Sequence, residues 1–258
     1  MKEKLTIVKV GGKIVETPDS LHLLLNDFRK VEGKKLLVHG GGRSATAMAA
    51  KLGIETIMVE GRRVTDDKML EVVTMVYAGL VNKKIVAQLQ ARNINAVGLT
   101  GADMGIVRSE KRPVKTVDYG WVGDVKEVDA KALATLINAD VCPVIAPLTH
   151  DGNGQLLNTN ADTMAAETAK ALAKLYDVTL MFCFEKAGVL ADENDDNSVI
   201  PTITPAVLAD IKQRGIVSGG MLPKLDNAMD CVEAGVTEVL ITRADHIADP
   251  YSGTKICL

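Results

Sequence analysis

The sequence predicts an α/β fold in which a mainly parallel sheet carries helices on both faces. Three observations predict it. Strand-like and helix-like segments alternate along the 258 residues, as they do in parallel β-α-β units. The strand-like runs are almost continuously apolar, which is typical of strands that are covered on both faces. Two of these runs end in a glycine cluster directly before a helix-like segment, at Gly11-Gly12 and at Gly40-Gly41-Gly42.

Strands are predicted where short apolar runs lie between turn signals. The seven candidates, in chain order, span residues 4–10, 35–39, 56–59, 95–99, 141–146, 178–183 and 238–242. Between residues 105 and 128 the pattern changes to shorter alternating runs broken by Lys, Arg, Gly and Pro. This change favours hairpins over β-α units in that segment.

Two helix starts are marked by Thr17-Pro18 and Thr204-Pro205, since each places a capping residue before a proline at the first helical position. The longest helix is predicted from about Thr65 to Arg92, where apolar residues recur at helical spacing. The polar, glycine-containing segment 148–160 is the best candidate for a boundary between two lobes, or for a hinge.

Composition limits the class of protein. Hydrophobic residues make up 47% of the chain and aromatic residues 3%, so a large core must be built from aliphatic side chains. The net charge of −3 argues against a nucleic-acid partner. No apolar stretch reaches the roughly 20 residues of a membrane span, and the start of the chain is a poor signal peptide. The four cysteines form no C-x-x-C pair, so neither a metal site nor a disulfide is implied. We expect a cytoplasmic enzyme without a membrane partner.

The two glycine clusters indicate an anion site. Backbone N–H groups without neighbouring side chains can approach an anion closely, and the N-terminus of the following helix adds a partial positive charge. Lys9 lies one residue before the end of the first strand. Because that strand looks central and an unpaired buried ammonium is costly, Lys9 needs a phosphate or a carboxylate partner, and Asp162 is a good candidate. The sequence therefore predicts that the chain handles phosphate.

Three further segments offer ligand-binding groups. Asn158-Thr159-Asn160-Ala161-Asp162 holds two amides and a carboxylate before a helix. These could simply cap the helix, but amide NH₂ groups can also donate to a ligand carboxylate. Arg62-Arg63 suits a carboxylate as well, with a solvated charge pair as the ordinary alternative. The segment from Ser218 to Lys224 is either another glycine-rich ligand loop or a plain loop with a surface lysine.

A dinucleotide site is a competing interpretation. Gly40, Gly42 and Ala45 satisfy the G-x-G-x-x-G/A pattern, and Glu60 follows Gly42 by 18 residues, near the place of a ribose-binding acid. An NAD-dependent oxidoreductase thus stays open. Against it, the pattern lies on the second strand, while the first carries its own Gly-Gly pair and Lys9, which hydride transfer does not need.

Taken together, five motifs resemble the amino-acid kinase family, and within it the branch that phosphorylates N-acetylglutamate. In family order and across nearly the whole chain they are Lys9-Val10-Gly11-Gly12, His39-Gly40-Gly41-Gly42, Gly61-Arg62-Arg63-Val64-Thr65, Asn158-Thr159-Asn160-Ala161-Asp162 and Gly219-Gly220-Met221-Leu222-Pro223-Lys224. The resemblance implies an open three-layer αβα sandwich. One domain would span residues 1–258, with an acylamino-acid-binding lobe over about 1–160 and an ATP-binding lobe over about 161–258.

The resemblance also implies a reaction, the ATP-dependent phosphorylation of the γ-carboxylate of N-acetyl-L-glutamate in arginine biosynthesis. Acetyl is the acyl group that the resemblance implies by default, and a related N-acylglutamate such as N-succinylglutamate stays open as the substrate. Lys9 and Lys224 would flank the transferred phosphoryl group as catalytic residues, and Asp162 would hold both lysines. The implied substrate-binding residues are Gly41, Gly42, Arg63, Asn158 and Asn160. The implied phosphate- and ATP-binding residues are Gly11, Gly12, Glu185, Lys186, Gly188, Val189, Leu190, Ser218, Gly219 and Gly220. Mg²⁺ would be held mainly by the ATP phosphates, without an assigned protein ligand.

Some features refine these expectations. Glu185-Lys186 stands where family members usually carry an aspartate-containing loop, which changes the adenine and ribose side of the site. The chain also begins almost directly at its first strand, whereas arginine-inhibited family members carry an extra N-terminal helix, so we expect a homodimer insensitive to arginine. His39 is interpreted as structural, because a γ-carboxylate with a pKa of ~4.3 is already ionised and needs no general base. Another kinase of the family, acting on glutamate, carbamate, aspartate or uridylate, and a non-catalytic amino-acid sensor remain alternatives.

Overall fold

The computed structural model describes residues 2–192, 194–217, 221–249 and 252–258. Its strands, in chain order, are β1 Lys4–Val10, β2 Lys34–His39, β3 Met58–Val59, β4 Arg62–Arg63, β5 Ala96–Leu99, β6 Val107–Lys111, β7 Gly123–Val128, β8 Cys142–Ile145, β9 Leu148–His150, β10 Leu156–Asn158, β11 Asp177–Phe184, β12 Thr202–Ile203, β13 Glu238–Arg243 and β14 Thr254–Ile256. Its α-helices are α1 Gly12–Glu16, α2 Pro18–Lys30, α3 Gly42–Lys51, α4 Asp67–Val73, α5 Asn82–Gln90, α6 Ala130–Asn138, α7 Ala161–Leu172, α8 Pro205–Arg214 and α9 Met221–Glu233. A π-helical segment, Thr74–Val81, joins α4 to α5, and Asp103–Gly105 forms a short 3₁₀ turn.

Eight strands form the main sheet, in the order β12-β14-β13-β11-β1-β2-β8-β5. Neighbouring strands run parallel throughout this sheet except for the antiparallel pair β13 and β14. The predicted mainly parallel sheet is therefore confirmed. As its apolar pattern indicates, β1 is central: it lies between β11 and β2, and its side chains from Leu5 to Val10 are buried.

Helices cover both faces of the sheet. On one face, Leu5 and Ile7 of β1 pack in a core shared with α6, α7, α8 and α9. On the other face, Val8 and Val10 pack in a core shared with α2, α3, α4 and α5. Because successive side chains of a strand point to opposite faces, one apolar run supplies both cores. This is the three-layer αβα arrangement that the sequence predicts.

A second, four-stranded sheet has the order β10-β9-β6-β7. Its antiparallel β6 and β7 pair, joined by residues 112–122, confirm the hairpins predicted between residues 105 and 128. The proposed boundary segment 148–160 contains the antiparallel β9–β10 hairpin and then leads into α7. Val122 and residues 158–160 lie beside Gly40, Gly41 and Gly42, which follow β2, because they line one cavity with them.

The predicted buried strand over residues 56–59 is wrong. Only Met58–Val59 is extended, and it pairs with Arg62–Arg63 in a separate two-stranded hairpin. Ile57 is 49% exposed and Met58 is 51% exposed, so this apolar run faces outward rather than into a core. The turn between the two strands has positive φ angles at Glu60 and Gly61, which a tight two-residue hairpin turn requires.

The helix predicted from Thr65 to Arg92 is present as one continuous α4–π–α5 run over residues 67–90. It begins with the Asp66 side chain, which accepts a hydrogen bond from Met69 N at 2.8 Å. Both proline-marked helices start as predicted. Thr204 Oγ1 accepts from Val207 N at the start of α8, whereas the Thr17 hydroxyl donates to the Lys13 carbonyl and does not cap α2.

Candidate active site

Two glycine turns meet backbone to backbone at the carboxyl ends of β1 and β2. Gly40 N donates to the Val10 carbonyl oxygen at 3.0 Å. A Cβ atom at Gly40 would lie only 3.1 Å from Gly12 N, and one at Gly41 would lie 2.9 Å from Tyr77 Cδ1. Only glycine allows this approach, and it leaves the N–H groups at the start of α3 unobstructed by side chains. The two clusters that the sequence singles out therefore form one structure.

Lys9 and Asp162 form the ion pair that the sequence predicts. The Lys9 side chain is only 8% exposed, and its Nζ lies 2.6 Å from Asp162 Oδ1. Asp162 sits in the first turn of α7, where the positive end of the helix dipole favours a carboxylate. The carboxylate fixes the position of an ammonium that would be costly to bury alone.

Lys224 lies close to the same place but has a different partner. Its Nζ is 4.1 Å from the centre of the Phe184 ring, and the Lys9 Nζ is 5.6 Å from that centre. Asp162 pairs with Lys9 in the described part of the chain and forms no ion pair there with Lys224. Sequence reasoning missed Phe184. Its place beside Lys9 depends on the pairing of β11 with β1, which the sequence does not reveal.

Arg63 is a fixed, buried guanidinium. Only 8% of the residue is exposed. Its Nη2 donates to the Gly42 carbonyl at 2.8 Å and to Thr46 Oγ1 at 2.9 Å, and its Nη1 donates to Thr56 Oγ1 at 3.3 Å. Nη1 also donates to Met69 Sδ at 3.9 Å. These four bonds fix the planar group, and the Nε–H is the donor that they leave over, pointing in a set direction.

The two asparagines of the Asn-rich segment have different roles in the fold. Asn158 is buried and its Nδ2 donates to Thr65 Oγ1 at 2.9 Å. The Thr65 hydroxyl donates in turn to the Arg63 carbonyl, so Asn158 and Arg63 are linked. Asn160 caps α7, because its Oδ1 accepts from Asp162 N at 2.8 Å and from Thr163 N at 3.0 Å. The capping alternative therefore holds for Asn160 and not for Asn158.

A cavity of about 200 Å³ lies on one side of the glycine turn. It is lined by Gly40, Gly41, Gly42, Met58, Gly61, Arg62, Arg63, Tyr77, Val122, Pro147, Asn158, Thr159, Asn160 and Ala161. All five residues expected to bind the acylamino acid are among them. Tyr77 was not predicted. It lies in the π-helical segment, and burial raises the pKa of its phenol, so the hydroxyl is protonated at neutral pH.

A second cavity, of about 500 Å³, lies on the other side of the turn and shares Gly42 with the first. It is lined by Gly11, Gly12, Lys13, Ile14, Gly42, Arg43, Cys183, Phe184, Glu185, Lys186, Gly188, Met221 and Lys224. A third cavity of about 510 Å³ adjoins it, since Glu185 and Lys186 line both. Residues expected at a phosphate and nucleotide site thus surround one continuous region.

The other residues predicted to bind nucleotide differ in their exposure and in whether they line a cavity. Glu185 and Lys186 are exposed, and they form ion pairs with Lys13 at 2.5 Å and with Asp196 at 2.6 Å. Val189 lies in the core, where its N–H donates to Thr254 Oγ1, and Leu190 forms an isolated bridge with Val199. Neither Val189 nor Leu190 lines the three cavities. Ser218, Gly219 and Gly220 lie outside the described residues.

His39 is fully buried beneath the glycine turn. Its Nδ1 lies 2.8 Å from the Gly40 carbonyl oxygen, and its Nε2 lies 3.1 Å from Asn82 Nδ2, which also donates to the Val144 carbonyl. The geometry assigns a neutral ring that donates from Nδ1 and accepts at Nε2. Burial lowers the pKa of His39 to about 4. The structural interpretation of His39 is supported, and Asn82 is a partner that the sequence did not reveal.

The dinucleotide interpretation fails at Glu60. Gly40, Gly42 and Ala45 do lie between a strand and a helix. Glu60, however, occupies the turn of the β3–β4 hairpin, outside the main sheet. A ribose-binding acid belongs at the end of the neighbouring parallel strand, and Glu60 is not on one.

Within residues 2–192, 194–217, 221–249 and 252–258, no three or more His, Cys, Asp or Glu side chains are grouped so that they could hold a metal ion. Over the same ranges, the helices are too short or too polar to cross a membrane.

Comparison with known proteins identifies the family of this chain. Residues 4–243 match the model of the amino acid kinase family. The chain belongs to this family. It is 64% identical over 256 residues to acetylglutamate kinase of Phocaeicola vulgatus, with 99% of each chain covered. Two solved structures share the fold. The first is smu.665 from Streptococcus mutans UA159, with a TM-score of 0.79, 25% identity and 98% of each chain covered. The second is carbamate kinase from Giardia lamblia bound to AMP-PNP, with a TM-score of 0.69 and 15% identity, covering 99% of this chain and 98% of that chain.

Proposed function

We propose that this family member is an acylglutamate kinase. It transfers the γ-phosphoryl group of ATP to the γ-carboxylate of N-acetyl-L-glutamate, or of a related N-acylglutamate such as N-succinylglutamate, in arginine biosynthesis. The observation that carries the proposal is full-length identity of 64% to a protein named acetylglutamate kinase. The site geometry supports it, since two cavities with different linings meet at one glycine turn.

The acylglutamate is assigned to the smaller cavity. Its α-carboxylate would bind the Nε–H of Arg63, the one guanidinium donor that the described bonds to Gly42, Thr46, Thr56 and Met69 leave over, together with the amide of Asn158. Asn160 lines the same cavity, but its side-chain oxygen caps α7, so only its NH₂ group is available to the ligand. This cavity belongs to the proposed acylamino-acid lobe, residues 1–160.

ATP is assigned to the larger cavities, which Gly11, Gly12 and Lys224 line toward the glycine turn and Glu185 and Lys186 line farther out. The proposed ATP lobe covers residues 161–258. The γ-phosphoryl group of ATP would then lie opposite the substrate carboxylate, across Gly41 and Gly42. The N–H groups of these two glycines would bind both ligands. Gly188 lines the larger cavity, whereas Val189 and Leu190 follow it in the chain without lining that cavity. Ser218, Gly219 and Gly220 remain proposed phosphate contacts from the sequence.

The chemistry requires charge stabilisation rather than proton transfer. A glutamate γ-carboxylate, with a pKa of ~4.3, is ionised at neutral pH and attacks without a general base. Lys9 and Lys224 would stabilise negative charge on the transferred phosphoryl oxygens, and the ion pair with Asp162 would orient Lys9. Mg²⁺, carried by the ATP phosphates, would add further neutralisation, and we assign it no protein ligand.

The test is acyl phosphate formation, trapped as the hydroxamate, with Mg-ATP and N-acetyl-, N-succinyl- or free glutamate, and with aspartate as a control. Turnover on an N-acylglutamate that is lost in Lys224→Met supports the proposal and identifies the acyl group. No turnover in folded protein contradicts it and favours a non-catalytic amino-acid sensor, which amino-acid binding would then test.

We also propose a cytoplasmic homodimer, which rests on the resemblance to the family branch. Light scattering coupled to size exclusion at micromolar concentration tests the assembly. A monomeric mass, or that of a larger oligomer, would contradict the dimer.

A further inference from the structure

We propose that Phe184 is a positioning residue for phosphoryl transfer, which holds the two site lysines on its aromatic face. This inference rests on the proposed kinase function and adds to it a residue with no polar group. A phenylalanine ring attracts a cation through the negative charge at its face, within about 6 Å of the ring centre. Both ammonium groups lie inside that range, at 4.1 Å for Lys224 and 5.6 Å for Lys9.

The strand register explains why the ring is in this place. Lys9 of β1 and Phe182 of β11 are direct partners in the parallel ladder, so their side chains point to the same face of the sheet. Phe184 is two residues farther along β11 and points to that face as well. Its ring stacks on Phe182 with the ring centres 6.4 Å apart and an angle of 15°. The buried Phe182 therefore fixes the tilt of the half-buried Phe184.

The charges around the Phe184 ring indicate what the ring does. Two ammonium groups converge here, and Asp162 balances only that of Lys9. No carboxylate in the described part of the chain lies within ion-pair distance of Lys224. A second carboxylate would neutralise Lys224 and compete with the phosphoryl oxygens. The ring instead attracts the ammonium more weakly and leaves its full positive charge for the transferred group.

Ring electronics can be varied with little change of shape. We would replace Phe184 with 4-fluoro-, 3,5-difluoro- and 3,4,5-trifluorophenylalanine, since each fluorine withdraws negative charge from the ring face. The expected result is a stepwise fall in kcat across the series, and a fall of about 3- to 30-fold for Phe184→Leu, the size of a partly desolvated cation–π contact. Phe184→Tyr should keep kcat within about threefold. KM for the acylglutamate should stay constant, because Phe184 does not line its cavity.

The same fluorinated series at Phe182 is the matched control, because Phe182 is buried in the same strand and stacks on the ring. A purely structural effect of fluorine would appear at both positions. A kcat that stays flat across the Phe184 series, or that falls equally in the Phe182 series, would overturn the proposal while leaving the kinase function intact.

A second readout does not depend on turnover. With lysine labelled at ¹³Cε, the Lys224 methylene protons should be shifted upfield by the ring current in the wild-type protein and in Phe184→Tyr. In Phe184→Leu they should move to the position of an ordinary lysine. Identical shifts in the wild-type protein and in Phe184→Leu would refute the contact, even if the chain proved inactive on every acylglutamate.

Discussion

His39 should make the stability of this protein fall steeply with acidification. Its pKa is about 4 in the folded chain, against 6.5 for an ordinary histidine. Between these two values the unfolded chain carries a proton on His39 that the folded chain does not bind, so lowering the pH favours unfolding. The stabilising effect of the neutral ring is complete above pH 6.5 and is lost progressively toward pH 4. The gap between the two pKa values corresponds to about 3 kcal/mol of unfolding free energy.

The substitution His39→Gln removes this pH dependence. At pH 7 it should lower the unfolding free energy by about 1–3 kcal/mol, because the glutamine cannot satisfy both Gly40 O and Asn82 Nδ2 in the buried site. At pH 4.5 the wild-type protein has itself lost about 2.5 kcal/mol through His39, so the two proteins should become nearly equal. The assay is urea unfolding followed by circular dichroism from pH 7 to pH 4.5, at fixed ionic strength and protein concentration.

The control is His22→Gln, which removes an exposed histidine from α2. The assignment to His39 would be refuted if the difference between wild type and His39→Gln were the same at pH 7 and pH 4.5. It would equally be refuted if His22→Gln abolished the pH dependence as completely.

Three further predictions concern the site itself. Lys9→Met should lower kcat about 10²- to 10³-fold yet change the unfolding free energy by less than about 1 kcal/mol. Asp162→Asn should lower kcat and also lower the unfolding free energy by about 1–3 kcal/mol, because it leaves the Lys9 ammonium buried without a carboxylate. Kinetics and urea unfolding of both variants test this difference, and equal losses of stability would contradict it. Gly41→Ala should lower the unfolding free energy by about 1–3 kcal/mol, since its Cβ would lie 2.9 Å from the Tyr77 ring. Gly42→Ala should lower it by less than about 1 kcal/mol, since its Cβ meets nothing closer than 3.8 Å. A larger loss for Gly42→Ala in thermal unfolding would count against this packing argument. Arg63→Lys should raise KM for the acylglutamate more than about tenfold, with a smaller change in kcat. The reason is that a single ammonium cannot replace the guanidinium bonds to Gly42 and Thr46 and also bind a carboxylate. An unchanged KM in steady-state kinetics would exclude Arg63 from the carboxylate site.

The centre of the fold could be predicted because the responsible patterns are local. A buried parallel strand is a short continuous apolar run, and a glycine cluster at its end can be seen in a few letters. The ion pair of Lys9 and Asp162 followed from one physical rule, that a buried ammonium needs a counter-charge. Residues 56–59 show the limit of this reasoning, because three consecutive apolar residues, Ile57 to Val59, do not show whether they face a core or the solvent.

The residues that were missed share a different property. Phe184 and Tyr77 look like core residues in the sequence, and Asn82 looks like a surface residue of a helix. Their roles depend on which elements the fold brings together: β11 beside β1, the π-helical segment against Gly41, and α5 beneath His39. Such contacts join residues more than 30 positions apart, and no local pattern encodes them.

The distribution of charge connects the fold to the reaction. The positive side chains of Lys13, Arg43, Lys186 and Lys224 lie around the larger cavity. Lys13 is paired with Glu185 and Lys186 with Asp196, so in the described part of the chain Arg43 and Lys224 supply the positive charge that these ion pairs do not balance. In the folded chain these like charges repel one another, and the free energy of the site falls when an anion enters. A triphosphate supplies that charge, and it does so beside a glycine turn whose N–H groups have no side chains in front of them. The same positive charge would stabilise the negative oxygens of the phosphoryl group during its transfer.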